Sequence, residues 1–296
     1  MRTCTAMSRQ SSCTTSLDVR VSAIVLAHGK EELLRECLRS LDLALARVEG
    51  ESELIVVLNQ VSLSMRDELA ASGRHTLVEP GRNLGFAAGV PAGIARSRGE
   101  WIALFNDDCV AEPAAVSELL AAAASRPEVG SVAAKVLFTG ERDTINSAGI
   151  EIDELGIAYE RLLGAPAAEG GTEVSYVFGA SGAACLYRRA MLDAVGGFDE
   201  SFFAYLEDAD LAWRAQMSGW RCVYAPRAIV RHHHSATLGH RSSEKNFLVG
   251  RNRVRMLAKN ATRAQLLRRA PAMIAYDLAY VAVSYTHMTL PTICSV

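Results

Sequence analysis

The sequence lacks the features that mark several special classes of protein. A formal net charge of −2 over 296 residues provides no excess of positive charge for binding nucleic acid. The seven cysteines include no C-x-x-C pair, which argues against a zinc ribbon or a disulfide scaffold and favours a reducing cytoplasm. The apolar stretch near the C-terminus is too short to span a bilayer and is interrupted by Asp277. Because half of the residues are apolar, we expect an ordinary globular protein with a substantial core.

Both ends of the chain differ in composition from the rest. Residues 1–18 are rich in serine and threonine and have no apolar segment of the kind found in signal peptides, which predicts a disordered leader. Residues 284–296 resemble translated sequencing-adapter DNA, and we interpret them as a non-native tail. The fold is therefore expected between these two segments.

Apolar runs and helical repeats alternate along the first part of the chain. Residues 21–27 and 53–58 are runs typical of buried strands, and between them leucines recur at helical spacing from Leu33 to Leu45. Such alternation predicts an α/β fold in which helices flank a mostly parallel sheet.

Acidic residues directly follow one of these apolar runs. Residues 101–105 have the composition of a buried strand, and Asn106, Asp107 and Asp108 come immediately after it. Since α/β sheets bind ligands at the carboxyl ends of their strands, we expect these side chains to meet a ligand or a metal. Their hard oxygen atoms suit Mg²⁺ or Mn²⁺. The same residues are also ordinary in a turn, so the metal site and the turn both stay open at this point.

Glycine recurs at every fourth position from Gly81 to Gly93. The spacing is not that of a dinucleotide-binding fingerprint. On a helix, Gly85, Gly89 and Gly93 would share one face, where either a ligand or another part of the protein could approach closely. Contact with a ligand and tight packing on the sheet are both open interpretations. Pro91 must lie in the first turn of such a helix or kink it.

The densest polar cluster of the chain lies between Gly197 and Trp213. Five acidic and five aromatic side chains are interleaved there. Favourable charge at a helix N-terminus explains one or two of the acids but not all of them. A carboxylate beside aromatic rings in a cleft has the environment expected of a general base.

Three consecutive histidines, His232 to His234, end a further strand-like run. Because neighbouring residues of a strand face opposite sides, at most His232 and His234, or His233 alone, can serve one site. Residues 242–259 form a basic amphipathic helical pattern that suits phosphate or acidic lipid. This pattern is compatible with a cytoplasmic protein that associates peripherally with the inner face of the cell membrane.

Four segments, in this order, resemble family 2 glycosyltransferases of the GT-A fold, in particular the rhamnosyltransferase-like branch. They are residues 83–89, the strand that ends in 106–108, residues 196–200 and residues 205–214. The resemblance implies a GT-A domain over residues 19–260. Its nucleotide-sugar half would be 19–125 and its acceptor and catalytic half 126–260, followed by a C-terminal helix at 261–283.

The resemblance also implies roles for individual residues. Asp108 and His232, with Asn106 in place of the first aspartate of a D-x-D element, would hold Mg²⁺ or Mn²⁺ on the donor diphosphate. Asp208 would deprotonate the acceptor hydroxyl, with Glu207 and Asp210 orienting that base or the acceptor. The donor-binding residues implied are Ala27, His28, Asn59, Asn83, Gly85, Asn106, Asp107 and Arg251. The acceptor-binding residues implied are Gly182, Phe198, Asp199, Glu200 and Trp213.

The chain departs from the usual pattern of the family at three places. Leu58 and Asn59 stand where an aspartate usually reads uracil or thymine at the end of the second strand. The first strand ends in Ala27 and His28, where Thr-Tyr-Asn is usual, and Pro91 replaces a common asparagine. These changes bear on the choice of donor and on the level of activity.

The resemblance predicts an inverting, metal-dependent enzyme that moves a sugar, with rhamnose as the first choice, from a nucleoside diphosphate to a cell-envelope glycan or lipid-linked acceptor. A non-catalytic relative that binds sugar nucleotides or glycans stays open, since Leu58 and Pro91 favour it. A sugar-phosphate nucleotidyltransferase would carry a glycine-rich basic loop after the first strand, which His28 and its neighbours replace poorly. A histidine-based metallohydrolase would depend on His232 to His234 alone.

Overall fold

The computed structural model describes residues 19–140, 143–233 and 243–289, with side chains described as far as residue 281. The predicted leader, His234 and residues 290–296 of the predicted tail lie outside the described residues.

Strands and helices alternate through the described part of the chain. The strands are β1 (Val19–Ala27), β2 (Glu51–Leu58), β3 (Thr76–Val78), β4 (Trp101–Asn106), β5 (Cys109–Ala111), β6 (Val129–Phe138), β7 (Ile145–Ser147), β8 (Ile150–Ile152), β9 (Ala158–Glu160), β10 (Ser175–Val177), β11 (Ala184–Arg188) and β12 (Arg221–His232). The helices are α1 (Glu31–Leu45), α2 (Leu63–Ser72), α3 (Gly85–Ile94), α4 (Ala115–Ala123), α5 (Arg189–Val195), α6 (Glu207–Met217), α7 (Ser243–Asn260) and α8 (Arg263–Thr289).

One sheet runs through the molecule in the order β10-β12-β6-β11-β4-β1-β2-β3, with β5 beside β12 and β7 beside β6. The strands β3, β2, β1 and β4 are parallel to one another, and β6 is parallel to β12. The antiparallel strand β11 lies between β4 and β6 and joins the two parallel sets. The predicted α/β fold with a mostly parallel sheet is confirmed.

Helices cover both faces of this sheet, which is why its central strands are apolar throughout. Val25 and Ala27 of β1 point into the core that α1, α2 and α4 complete. Ile24 and Leu26, at alternate positions, point into the core formed with α3, α5 and α6. Since both faces are covered, the polar side chains that follow the parallel strands lie at the edge of the sheet where these strands end.

The glycines of α3 are explained mainly by packing. A Cβ at Gly93 would lie 2.7 Å from Cγ2 of Ile24, and one at Gly89 would overlap Leu26. Gly85 has a φ of +69°, and a Cβ there would overlap the backbone carbonyl of Phe203. The close neighbours of this glycine face are therefore the sheet and the segment before α6. Pro91 lies inside α3 and not in its first turn.

Two helices follow β12 in the described part of the chain. Residues 243–260 form α7, as the basic amphipathic pattern predicts, and α8 continues past the predicted end at residue 283. No helix within the described residues combines the length and the apolar character needed to cross a membrane.

Candidate active site

The carboxyl ends of three parallel strands bring the predicted donor residues to one edge. Ala27 at the end of β1 is paired with Leu58 at the end of β2, and Leu26 is paired with Asn106 at the end of β4. His28, Asn59 and the acidic segment after β4 therefore follow neighbouring strands. This is the crevice in which open α/β sheets bind ligands.

Asp107 connects the end of β4 to the end of β1. Its Oδ2 accepts a hydrogen bond of 2.6 Å from the backbone N–H of His28. His28 Nδ1 lies in turn 2.8 Å from the carbonyl oxygen of Asn59. Burial raises the pKa of Asp107 to about 6, and the His28 N–H opposes this rise. The carboxylate thus fixes the relative position of two strand ends.

Asn59 holds the start of α3 against β2. Its side chain is buried, donating to Asn83 Oδ1 at 3.0 Å and accepting from the Leu84 N–H at 2.7 Å. Asn83 Oδ1 also accepts from the N–H of Gly85 at 2.8 Å. The resemblance implies that a residue at this strand end binds the nucleobase, whereas the Asn59 amide bonds to Asn83 and Leu84.

Asp108 and His232 form the core of a candidate metal site. Asp108 Oδ1 and His232 Nε2 are 3.0 Å apart. Two neighbouring ligands of one octahedral ion lie about 3 Å apart when each bond is about 2.1 Å. Asn146 Oδ1 lies 2.9 Å from His232 Nδ1, so Nδ1–H donates there and Nε2 is the ring nitrogen that faces Asp108. These donors fit a divalent cation.

Cys109 belongs to the same cluster, since its sulfur, Asp108 and His232 offer ligand atoms within 4.8 Å of one another. Burial raises the pKa of the Cys109 thiol well above its ordinary value, and Sγ donates to the carbonyl of Ala183 at 3.3 Å. The thiol therefore stays protonated and bonded to the carbonyl of Ala183. For Asp108, burial raises the pKa, but the hydrogen bond and charge of His232, a backbone N–H and the charge of His233 together lower it below its ordinary value.

Asp208 lies in the first turn of α6 with both oxygens held by backbone amides. Oδ2 accepts from the Gly182 N–H at 3.0 Å and Oδ1 from the Ala209 N–H at 2.8 Å. Burial raises the pKa of this carboxyl, and the two N–H groups oppose the rise. A half-buried carboxylate with elevated proton affinity and a fixed orientation can act as a general base.

The dipeptide of Gly182 and Ala183 brings the two acidic segments together. Gly182 donates to Asp208, and the carbonyl of Ala183 accepts from the Asn106 N–H at 3.0 Å and from the Cys109 thiol. This dipeptide precedes β11, the strand between the two parallel sets. Asp208 and the candidate metal site are thereby placed on the same edge of the sheet.

Glu207 accompanies Asp208, whereas Asp210 does not. Glu207 is 6% exposed, and its Oε2 has no hydrogen-bond partner among the described residues. Burial and the charge of Asp208 raise the pKa of Glu207 well above its ordinary value, so it stays protonated. Asp210 is fully buried and binds Arg214 at 2.9 Å, with Lys259 and Asn260 as further partners. Asp210 thus fastens α6 to α7.

The five residues implied for the acceptor do not form one group. Gly182 contacts Asp208, as described. Phe198 is buried, with its ring centroid 6.4 Å from that of Phe86 and 5.7 Å from that of Tyr187, both edge to face. Phe198 therefore belongs to the core beneath the site.

The other three lie further along the chain and have separate surroundings. Asp199 accepts from Lys259 Nζ at 2.6 Å. Burial raises the pKa of Asp199, but the bonds from Lys259 and Ser201 together lower it to about 2. Glu200 is exposed. Trp213 packs edge to face on Phe178, with ring centroids 6.3 Å apart.

The segment before α6 has an unusual backbone. Phe203, Tyr205 and Leu206 have φ values of 66°, 70° and 66°, in the left-handed region that residues other than glycine seldom adopt. Such conformations persist only where surrounding contacts enforce them. The strained turn formed by residues 203–206 leads directly into the first turn of α6.

Two residues of α7 hold the strained turn. Asn252 Nδ2 donates to the carbonyls of residues 202, 204 and 205 at 2.9, 2.8 and 2.8 Å. Arg251 donates to the carbonyl of Phe202 at 2.7 Å and to Asn252 Oδ1 at 3.0 Å. The guanidinium of Arg251, predicted to bind the donor, is bonded to this segment in the structure.

Sequence reasoning missed Glu160 at the end of β9. Its Oε1 accepts from the Ser181 hydroxyl at 2.9 Å. Burial, and to a smaller extent the charge of Asp208, raises the pKa of Glu160 to about 7. Glu160 lies in an irregular region without repeat or motif, so spacing gives no signal for it. Glu160 comes close to Asp208 only because β9 folds against the segment before β11.

Comparison with protein families identifies the fold and the family. A family model described as "Glycosyltransferase like family 2" matches residues 19–249, which is more than half of the chain. The chain belongs to glycosyltransferase family 2. The resemblance derived from the sequence motifs is therefore confirmed.

Several curated proteins are relatives of this family 2 member. The uncharacterized protein y4gI of Sinorhizobium fredii is 35% identical over 233 residues, covering 74% of this chain and 25% of that protein. The N-acetylglucosaminyl-diphospho-decaprenol L-rhamnosyltransferase of Mycobacterium tuberculosis is 48% identical over 59 residues, covering 20% of this chain and 19% of the enzyme. The O-antigen biosynthesis protein RfbC of Myxococcus xanthus is 33% identical over 149 residues, 48% and 12% of the two chains. The chain thus spans a quarter or less of the length of these relatives.

Solved structures share the fold at low sequence identity. GalNAc-T7 with UDP, GalNAc and Mn²⁺ has a TM-score of 0.65 at 14% identity, over 81% of this chain and 48% of that one. The mannosyltransferase PcManGT of Pyrobaculum calidifontis, in complex with GDP-Man and Mn²⁺, has a TM-score of 0.59 at 16% identity, over 94% and 76%. The family 2 chain has the GT-A fold, as predicted.

Proposed function

We propose that this chain transfers a sugar from a nucleoside diphosphate to a glycan or lipid-linked acceptor, with inversion at the anomeric carbon. The observation that carries the proposal is the meeting of two acidic segments on either side of Gly182 and Ala183. Asp108 and His232 form the donor side, and Asp208 forms the acceptor side. Family membership supports sugar transfer over the nucleotidyltransferase and metallohydrolase alternatives.

Asp108 and His232 are proposed to hold a divalent cation, with Asn106 as a further ligand. A mixed set of carboxylate and imidazole favours Mn²⁺ over Mg²⁺, which prefers oxygen ligands throughout. When bound, the cation would neutralise the charge that develops on the leaving nucleoside diphosphate. Asn146 supports this site by fixing the tautomer of His232 through the bond to Nδ1.

Asp208 is proposed to accept the proton of the acceptor hydroxyl during in-line attack on the anomeric carbon. The neutral Glu207 beside it leaves a single negative charge on this pair of carboxyl groups, and desolvation favours the transfer of a proton to that charge. General-base assistance of this kind typically contributes about 10²–10⁴-fold to the rate. Rhamnose is our first choice of sugar, because a segment of 59 residues is 48% identical to the mycobacterial rhamnosyltransferase.

Donor binding that depends on Mn²⁺ should appear as thermal stabilisation. In a panel of UDP-, GDP- and dTDP-sugars, we expect one nucleotide class to raise the melting temperature, and the rise to require Mn²⁺. Ligand at a hundredfold excess over its dissociation constant stabilises the folded state by about 2.7 kcal/mol. The double variant Asp108→Asn with His232→Gln should lose this shift because it removes the proposed metal ligands.

Asp67→Asn, at an exposed position of α2, is the matched control and should keep the full shift. An equal shift in the double variant would contradict the assigned metal site. Turnover of the stabilising donor separates a transferase from a non-catalytic binding relative. Stabilisation without any release of nucleoside diphosphate, with glycan and lipid-linked acceptors supplied, would favour the binding relative.

The C-terminal helices are proposed to contact an anionic membrane surface, where a lipid-linked acceptor would be found. Leu267, Ile274, Leu278 and Val281 are 58–80% exposed and form one stripe along α8, since their spacing follows the turns of a helix. Exposed Phe247 on α7 and the basic residues of both helices add the features of an interfacial helix.

We expect the protein to sediment with vesicles that contain phosphatidylglycerol and not with pure phosphatidylcholine vesicles. The double variant Leu267→Glu with Leu278→Glu should bind at least ~10-fold less, because charge enters the apolar stripe. Leu63→Glu, an exposed leucine of α2, should bind as the parent protein does. Equal binding of both variants would exclude the stripe as the contact surface.

A further inference from the structure

We propose that Glu160 is a positioning residue that acts on the reaction through Asp208, by holding the segment of Ser181 and Gly182 and placing a further carboxyl group, besides Glu207, near the base. This inference rests on the proposed function of Asp208. It adds a residue that lies outside every motif of the sequence and outside the predicted catalytic set.

Two consecutive residues hold the two carboxyl groups. The Ser181 hydroxyl donates to Glu160 Oε1 at 2.9 Å, and the next residue, Gly182, donates its N–H to Asp208 Oδ2 at 3.0 Å. Any displacement of Ser181 therefore moves the amide that orients Asp208. Because Glu160 is on β9 and Asp208 on α6, one short segment connects the base to a strand from a distant part of the chain.

The connecting segment has little freedom to adjust. Gly179, just before it, exchanges two backbone hydrogen bonds with Ile150, at 2.8 and 3.2 Å. A Cβ at Gly182 would lie 3.0 Å from the ring of Phe86, which leaves no space on that side. A shift at Glu160 is thus transmitted to Asp208, because the segment between them is anchored and closely packed.

A carboxyl group is a costly choice at this position if its role is only structural. The Oε2 atom is buried and has no hydrogen-bond partner among the described residues. The groups that act on Glu160 are Asp208 from α6, the hydroxyl of Ser147 from β7 and that of Ser181. No cation is among them, so Glu160 forms no ion pair with the part of the chain that the structure describes. Burial, followed by the charge of Asp208, raises its pKa to about 7.

The sign of the effect on stability follows from this pKa. Between the ordinary value of 4.5 and about 7, the folded protein retains a proton that the unfolded chain has lost. Stability contributed by the neutral form is therefore lost as the pH rises through this range. Glu160→Gln removes that loss, so the variant should be more stable than the parent protein at pH 8 and similar to it at pH 4.5.

The effect on catalysis follows from the same pair of groups. When Glu160 ionises, its negative charge favours the protonated form of the neighbouring Asp208, which makes Asp208 a stronger base. We expect kcat of the parent protein to rise as the pH passes through about 7. Glu160→Gln, which keeps an oxygen for Ser181 to donate to, should lack this step and be ~10-fold slower at pH 8, with the donor KM unchanged.

The deciding measurement is a ¹³C NMR titration of the Asp208 carboxyl carbon, which requires no substrate. The parent protein should show a step near pH 7 that is absent in Glu160→Gln, whereas the step caused by Glu207 should remain in both. Ser181→Ala should keep the step and lower kcat, because it breaks the link and leaves Glu160 ionisable. Glu173→Gln, at an exposed glutamate, should match the parent protein throughout.

Identical titrations of Asp208 in the parent protein and in Glu160→Gln would overturn the inference. If the parent protein turns over a donor, the same pH dependence of kcat in Glu160→Gln and in the parent protein would also overturn it. If the parent protein turns over no donor at all, the proposed function fails instead, and the titration still decides whether Glu160 acts on Asp208.

Discussion

Replacement of Asp208 by asparagine is expected to abolish sugar transfer while donor binding is retained. Asparagine keeps the size of the side chain and one of the two acceptor oxygens, so it still accepts from either Gly182 or Ala209 and the first turn of α6 should stay in place. It cannot take up a proton from the acceptor hydroxyl. We expect kcat to fall by about 10²–10⁴-fold, the usual contribution of a general base.

The same preparation provides the test of donor binding, because the thermal shift with donor and Mn²⁺ should match that of the parent protein. Asp193→Asn, at an exposed carboxylate of α5, is the control for the loss of one negative charge. An Asp208→Asn variant with parental kcat would show that another group takes the proton. A variant that has lost both turnover and donor binding would point to a role for Asp208 on the donor side.

Replacement of Asn252 by alanine is expected to destabilise the protein and to inactivate it through the strained turn. The side chain amide donates to three backbone carbonyls of residues 202–205 and is fully buried. Each buried polar group left without a partner costs about 1–3 kcal/mol. The left-handed residues that these bonds hold would then relax, since such conformations are unfavourable by about 1–3 kcal/mol each.

We therefore expect the free energy of unfolding in urea to fall by about 3 kcal/mol or more for Asn252→Ala. Turnover should also fall under conditions in which the variant is still folded, because the strained turn sets the start of α6 and hence the position of Asp208. Asn246→Ala is the matched control on the same helix, where the side chain accepts, among the described residues, a single bond of 3.3 Å from Tyr280. Equal stability of the two variants would refute a special role for the amide of Asn252.

Parts of the site could be predicted because the chemistry follows a strand or starts a helix. The apolar run of β4 ends in Asn106, Asp107 and Asp108, and the end of a buried parallel strand is where an α/β sheet binds ligands. Asp208 is recognisable because it lies among acids and aromatic residues at the start of a helix. Both signals are local in the sequence.

Other parts could not be predicted because neighbours in sequence have different surroundings in space. Asp208 and Asp210 are two positions apart on α6, a spacing that directs side chains to different faces. One meets Gly182 and the other meets Lys259 and Asn260 of α7. The pattern of acids contains no information on which face α7 covers.

Asparagine roles show the same limit. The resemblance implies that Asn59 binds the donor, and Asn252 follows Arg251, another residue with that implied role. In the structure, Asn59 binds the loop before α3, and Asn252 binds the strained turn. An amide can donate and accept in many arrangements, so its partner is fixed only by which backbone groups the fold brings within reach.

The α/β alternation, the family and the two acidic segments follow from the amino-acid sequence, because periodicity, strand ends and motifs are properties of short stretches. The junction of these segments at Gly182 and Ala183, and the contact of His232 with Asp108, depend on the folded chain. The tertiary structure also brings Glu160 close to Asp208. These relations depend on strand order in one sheet, where β11 is inserted between β4 and β6, and no local pattern of residues specifies that order.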